Sequence, residues 1–203
     1  MKTQLEVACK LYNTLLHAEQ EEYEENKHSM SRNELRRLAL GLRKRSPEFQ
    51  ALHSQVAQQV AERFYQARER FFDGLANRSR EKNPHRYLSL VYPQSGWRLS
   101  NTREVGLGKN KKKRRARLYL SKIGFFTLIL HRVFPENRVC QVCVELYPSG
   151  RIHIIFLVEE AEAEEEHSSG EGEPKRAVGV DLGLARLATL SFGWALPREP
   201  KTA

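Results

Sequence analysis

The chain has 203 residues, a net charge of +9 and an apolar content of 40%. This length allows one or two domains with a real core, and no apolar run approaches the roughly 20 residues of a membrane span. The N-terminal residues lack the apolar segment of a signal peptide, and three cysteines do not make a disulfide framework. We therefore expect a cytoplasmic protein.

The charge is unevenly distributed along the chain. Eight of the 25 acidic residues lie between Glu159 and Glu173, a segment without Lys or Arg. The rest of the chain holds all 34 basic residues against 17 acidic ones. This excess favours a polyanionic partner such as nucleic acid, although solubility alone could account for part of it. A DNA-bound form would be associated with the nucleoid.

Residues 1–80 are predicted to be helical. Apolar residues recur at helical spacing from Leu5 to Leu16, and Ser31 with Glu34 matches a capping box at the start of a second helix. Ser46-Pro47-Glu48 predicts a third start, followed by an apolar face from Phe49 to Phe71. A bundle with solvated charges and a bundle facing nucleic acid fit equally well. The charged face of the third helix carries Arg63, Arg68 and Arg70.

Residues 84–158 are predicted to form a small antiparallel β module, either a barrel or a strongly twisted sheet. Its clearest feature is a hairpin that joins residues 138–146 to residues 151–158 through the turn 147–150. Residues 159–174 have the composition of an acidic disordered linker, and residues 175–203 open a new unit. The predicted fold class is α+β.

The densest basic cluster lies in a predicted loop at residues 109–117. Cations beside phosphates release counterions, which gives strong, salt-sensitive binding that is independent of sequence. Trp97 and Tyr119 are close enough in sequence to be stacking partners for bases. A flexible, solvated loop is the alternative. The candidate nucleic-acid-binding residues are Lys109, Lys111, Lys112, Lys113, Arg114, Arg115 and Arg117.

Cys140 and Cys143 have the spacing of half a zinc site, but the chain offers no second cysteine pair to complete it. The two residues also lie in a predicted strand, where positions three apart point to opposite faces. Two separate thiols are therefore the better interpretation.

Asp181 stands inside an apolar segment that runs from Val178 to Leu184. A carboxylate in such a strand is costly unless it is paired, hydrogen-bonded or bound to a metal. An Asp that ends a strand and caps a turn is the alternative. A nuclease carboxylate that binds a divalent cation suits the apolar flanks better, because paired metals activate water and stabilise the leaving oxygen.

The segment Gly179-Val180-Asp181-Leu182-Gly183-Leu184, with Leu187-Ala188-Thr189-Leu190-Ser191, resembles the first catalytic motif of the RuvC-like nuclease in TnpB (OrfB) proteins. These are transposon-encoded RNA-guided nucleases related to the type V CRISPR effectors. Residues 11–16 and 52–56 resemble helical motifs of that family. Leu120-Ser121-Lys122-Ile123-Gly124 and His131-Arg132 resemble its wedge-domain pattern, with Ser121 in place of the usual Pro.

The resemblance implies a recognition-lobe-like region at 1–80, a wedge-like module at 84–158 and the first strands of a RuvC (RNase H-like) domain at 175–203. It implies a guide RNA and DNA as partners. It also implies Mg²⁺ as cofactor, with Asp181 as the first catalytic, metal-binding carboxylate. The later Glu and Asp of the family's triad and its four-cysteine zinc finger have no counterpart in this sequence.

We therefore expect an N-terminal fragment of a TnpB-like endonuclease that binds nucleic acid, holds no metal stably and does not cleave alone. The alternative is a domesticated, nuclease-dead regulator that binds RNA or DNA. A decayed reading frame whose product folds poorly is the third possibility.

Overall fold

Three α-helices form the N-terminal region of the computed structural model, as the apolar periodicity predicts: α1 (Lys2–Asn26), α2 (Arg32–Arg45) and α3 (Ser54–Phe72). The structure describes residues 1–106, 112–159, 180–181, 186–190 and 195–197. The chain divides into two compact units, Met1–Ala161 and Glu162–Ala203.

The start of α2 confirms the capping box. The Glu34 backbone N–H donates to Ser31 Oγ at 3.3 Å, and the Ser31 backbone N–H donates to a Glu34 carboxylate oxygen at 2.7 Å. Two backbone donors that the helix itself leaves unpaired are thus satisfied, which fixes where α2 begins.

The predicted start of the third helix is wrong. Phe49–Ala51 forms a single 3₁₀ turn, Leu52 is extended, and α3 begins only at Ser54, after its N-cap His53. Phe49 and Leu52 are both buried, so they continue the apolar pattern of α3 without belonging to that helix. The Gln55 backbone N–H approaches His53 Nδ1 at 3.4 Å at the true helix start.

Six antiparallel strands follow the helices and form two three-stranded sheets rather than one barrel. The first sheet has the order β1–β5–β6 and the second the order β2–β3–β4. The hairpin of β5 and β6 confirms the predicted turn, where the Tyr147 N–H donates to the Arg151 carbonyl at 2.8 Å. The strands are β1 (Ser89–Pro93), β2 (Trp97–Gly106), β3 (Lys112–Leu120), β4 (Gly124–Leu130), β5 (Val139–Leu146) and β6 (Ile152–Val158).

The helices and both sheets share one apolar core. Tyr12 of α1 meets Phe64 of α3 edge to face, with ring centroids 5.5 Å apart. Leu118 of β3 and Val144 of β5 are fully buried in the same cluster. Burial of each such side chain stabilises the fold by about 1.5–3 kcal/mol. The β2–β3–β4 sheet is therefore held on one side by the core.

The segment between α3 and β1 is tied to α1. The Asn13 side chain donates to the Lys82 carbonyl at 3.0 Å and accepts from the Lys82 backbone N–H at 2.8 Å. The thiol of Cys9, which is completely buried, lies 3.1 Å from the same carbonyl.

The second unit contains three short antiparallel strands, β7 (Val180–Asp181), β8 (Arg186–Leu190) and β9 (Ala195–Pro197), in the order β7–β8–β9. The described residues therefore make an α+β protein with an N-terminal helical region. Glu159 donates its backbone N–H to the Arg138 carbonyl at 3.0 Å, and the rest of the predicted acidic linker, 160–174, lies outside the described residues.

Candidate nucleic-acid interface

The predicted basic loop is in large part a strand. The structure places residues 112–120 in β3, which is hydrogen-bonded to β2 on one side and to β4 on the other. The cations obscure a period-two pattern in the sequence: Ala116 and Leu118 are buried, whereas Arg115 and Arg117, which alternate with them, are exposed. The predicted loop is therefore wrong for residues 112–117, because the prediction relied on charge density and not on this alternation.

Strand register extends the exposed side of β3 into three rows across the sheet. Three exposed residues of β3, Arg115, Arg117 and Tyr119, each stand directly opposite one residue of β2 and one of β4. We call these nine residues the basic face. The rows are Arg98–Tyr119–Phe125, Ser100–Arg117–Thr127 and Arg103–Arg115–Ile129.

The basic face carries four arginines and no acidic residue. Within the described part of the chain, none of the four has a carboxylate partner at ion-pair distance. Their positive charge is therefore available to an external anion. Neighbouring strands lie about 4.8 Å apart and successive rows about 7 Å apart, so the four charges cover one continuous surface.

Two aromatic rings lie at one end of this surface. Tyr119 and Phe125 are cross-strand partners with ring centroids 5.0 Å apart and an interplanar angle of 49°. The Arg117 guanidinium carbon lies 4.2 Å from the centroid of the Phe125 ring. A cation at this distance from an aromatic face is attracted by the quadrupole of the ring.

The seven predicted cations separate into four groups. Arg115 and Arg117 belong to the basic face, whereas Arg114 is on the opposite side of β3, where it lies 3.6 Å from the Glu136 carboxylate. Lys112 and Lys113 are in the backbone of β3. Lys109 and Lys111 fall outside the described residues.

The sequence did not indicate Arg98, Arg103 and Phe125 as candidate binding residues. Arg98 and Phe125 lie in strands that the sequence predicts, but the pairing between strands decides which residues lie beside them. Arg103 follows a register shift between Ser100 and Arg103, which a sequence pattern does not reveal. Trp97, predicted as a stacking residue, pairs instead with the buried Leu120 and packs against the core.

The arginines of α3 are mainly structural. Arg63 donates to the Ser89 hydroxyl at 2.9 Å, and its guanidinium lies 4.9 Å from the Tyr87 ring centroid. Arg68 forms a largely buried ion pair with Glu19. Arg70, in the last turn of the helix, is exposed. The interpretation of this face as solvated charges, or as a nucleic-acid surface, does not hold for Arg63 and Arg68.

Cys140 and Cys143 are free, half-buried thiols. The Cys140 sulfur lies 3.4 Å from the Leu157 carbonyl, at a register shift in β5. Burial, with a smaller contribution from the Glu145 charge, raises the pKa of Cys143 and disfavours the thiolate that metal binding needs. These contacts support the interpretation of the pair as separate thiols.

Asp181 lies in β7, directly opposite Thr189 of β8. The predicted strand at this position is therefore present, while the glycine turn at 182–185 lies outside the described residues. Among the described side chains, no group of three or more His, Cys, Asp and Glu could hold a metal ion. Among the described residues of the second unit Asp181 is the only carboxylate, whereas a two-metal site uses several, so we derive no reaction step through Mg²⁺.

No family model matches this chain, and no curated protein matches it. Within the described residues, the helices are too short or too polar to cross a lipid bilayer.

Proposed function

We propose that this chain binds nucleic acid through the basic face of the β2–β3–β4 sheet. The observation that carries the proposal is the set of four exposed arginines without an acidic partner among the described residues, fixed in rows by strand register. Arginine suits phosphate because its planar guanidinium donates two parallel hydrogen bonds. The sheet fixes the backbone positions of these arginines, so binding has to order only their side chains.

The resemblance to TnpB proteins supplies the partner within this proposal. A guide RNA would occupy the basic face, and the protein would act in DNA recognition directed by that RNA. Asp181 would correspond to the first catalytic carboxylate. The domesticated regulator remains the alternative, and it requires the same binding surface.

Binding is tested with the paired substitution Arg115→Gln and Arg117→Gln. The probe is a fluorescein-labelled 30-nucleotide RNA hairpin, and the readout is fluorescence anisotropy across a series of KCl concentrations. We expect at least tenfold weaker binding. Each lost phosphate contact removes about 0.7 from the slope of log K against log salt for a single strand and about 0.9 for a duplex, so the slope should fall by about 1.4 to 1.8.

The matched control is Arg37→Gln with Arg45→Gln, which removes the same charge from two exposed positions on α2. This pair should retain the wild-type affinity within about twofold. Equal losses in the two double variants would show that net charge, and not the basic face, accounts for binding, and would overturn the proposal.

We also propose that this chain does not cleave DNA by itself, because Asp181 provides one carboxylate where two-metal hydrolysis uses several. Supercoiled plasmid and duplex DNA incubated with the chain and MgCl₂ should stay intact. Cleavage that disappears in Asp181→Asn would contradict this expectation.

A further inference from the structure

Phe125 is the most exposed large apolar side chain among the described residues of strands β1–β6. Its side chain is 62% exposed, and its cross-strand partner Tyr119 is 38% exposed. Large rings stabilise a fold mainly through burial, so these two contribute little to the core from the outer side of the sheet. Their position next to Arg98 and Arg117 points to a use in binding instead.

The two rings and the neighbouring guanidinium groups form one patch. Tyr119 lies between Arg98 and Phe125 in the first row, and Arg117 covers part of the Phe125 ring from the second row. A ligand on this patch could stack a planar group on the aromatic rings. A negatively charged group of the same ligand could then contact the neighbouring guanidinium groups. A nucleotide has both components, a flat base and a phosphate.

Base pairing decides which nucleotides can use the patch. In a duplex, the faces of the bases are covered by their own neighbours, and only the edges and the backbone are accessible to a flat sheet. Unpaired bases in loops, bulges and ends can turn outward and stack on aromatic side chains. The rings therefore select single-stranded segments, whereas the arginines bind phosphates of either form.

We infer that Tyr119 and Phe125 form a stacking platform for unpaired bases, so that the basic face binds single-stranded nucleic acid in preference to duplex. This inference rests on the proposed function, since the same arginines hold the phosphates. It adds the form of nucleic acid that is bound and a role for two side chains that charge alone does not explain.

The test compares three fluorescein-labelled probes: (dT)12, a 12-mer of abasic deoxyribose units with the same phosphates, and a 12-base-pair duplex. Stacking of one base changes affinity by about 5- to 150-fold. The wild-type chain should therefore bind (dT)12 at least fivefold more tightly than the abasic 12-mer, and more tightly than the duplex.

The paired substitution Tyr119→Leu and Phe125→Leu removes the rings and keeps apolar side chains of similar bulk. It should lower the affinity for (dT)12 to that for the abasic probe, which should itself change by less than twofold. Ile155→Thr alters an exposed apolar strand residue outside the basic face, on β6 of the other sheet, and should leave the preference unchanged. Far-ultraviolet circular dichroism and a thermal melt would establish that each variant is folded.

Three outcomes would overturn the inference: equal binding of (dT)12 and the abasic probe by the wild-type chain, a preference that survives loss of both rings, or tighter binding of the duplex. If binding still depends on Arg115 and Arg117 in these cases, the proposed function stands without the stacking platform. If none of the probes binds the wild-type chain, both proposals fail.

Discussion

The arginines of the helical region and those of the β2–β3–β4 sheet have opposite surroundings. In the helices, Arg32 and Arg36 both contact the buried Glu62, and Arg68 pairs with Glu19. On the sheet, the four arginines of the basic face have no carboxylate partner among the described residues. The comparison shows that the density of Lys and Arg in the sequence does not by itself identify a surface with free positive charge. The ion pairs that each cation makes in the folded chain have to be known as well.

Under the proposed function, this difference separates the arginines that stabilise the fold from those that bind nucleic acid. Removing Glu19 leaves the largely buried Arg68 guanidinium without its carboxylate partner, which destabilises the fold. Removing an arginine from the basic face leaves no carboxylate without its partner among the described residues. The two regions should therefore respond to substitution in opposite ways, and the following changes test that contrast.

The largest loss of stability is expected for Glu19→Ala. Glu19 accepts hydrogen bonds from Arg68, from the Ser29 hydroxyl and, at 3.0 Å, from the Met30 backbone N–H. Its side chain is 9% exposed and that of Arg68 is 11% exposed. Leaving the buried Arg68 without its partner should lower the free energy of unfolding, measured by urea denaturation, by about 3–5 kcal/mol.

Glu21→Ala, at an exposed position of the same helix, is the control. A loss below about 1 kcal/mol, typical of exposed pairs, would contradict the expectation.

The pH dependence of stability tests the second internal pair. Burial opposes ionisation of Glu62, but hydrogen bonds and charges from Arg32 and Arg36 outweigh it and lower the pKa of this carboxyl. A lowered pKa contributes stability above the pKa of the unfolded chain, about 4.3, and this contribution is lost as the pH falls through the folded value. Urea midpoints from pH 7 to pH 3 should therefore show a gap between wild type and Glu62→Gln that narrows below about pH 5. If the urea midpoints of the two proteins keep a constant difference over this pH range, ionisation of Glu62 does not contribute to stability.

A smaller effect is expected at the start of α2. Ser31→Ala removes the side-chain acceptor of the capping box and should cost about 1 kcal/mol in the free energy of unfolding. Ser31→Asp restores an acceptor and should recover most of this loss. If the two variants have the same urea midpoint, the cap does not contribute as the geometry indicates.

The smallest effect on stability is expected for the two arginine substitutions that should weaken nucleic-acid binding most. Arg115→Gln and Arg117→Gln lie at exposed positions and should each change the free energy of unfolding by less than about 0.5 kcal/mol. Thermal melts of the double variant without RNA would measure this. A destabilisation above about 2 kcal/mol would show that these arginines support the sheet itself, and the contrast between the two regions would no longer hold.

Local patterns predicted most of the elements, because they depend on neighbours in the chain. The period of the apolar residues gave the helices, the Ser31 and Glu34 spacing gave a cap, and the 147–150 turn gave the β5–β6 hairpin. The start of α3 was missed because Phe49 and Leu52 are buried at helical spacing although the chain there is not α-helical. Burial alone does not distinguish the two conformations.

The basic face was only half visible in the sequence, since it is made by pairing between strands. Arg115 and Arg117 were found as members of a charge cluster, but Arg114 belongs to the other side of the same strand. Arg98 and Phe125 join the face only through the register of β2 and β4 with β3. Long-range register of this kind depends on the whole core and not on the composition of one segment.

The burial of Cys9 against the Lys82 carbonyl makes this thiol a reporter of local opening. Burial raises the pKa of the Cys9 thiol, so the reactive thiolate is scarce while the segment before β1 stays attached to α1. Alkylation of Cys9 therefore has to wait for that attachment to break, and it is followed in a Cys140→Ser, Cys143→Ser variant, in which Cys9 is the only thiol. The rate at which iodoacetamide then modifies Cys9 measures how often the helical region opens at this joint.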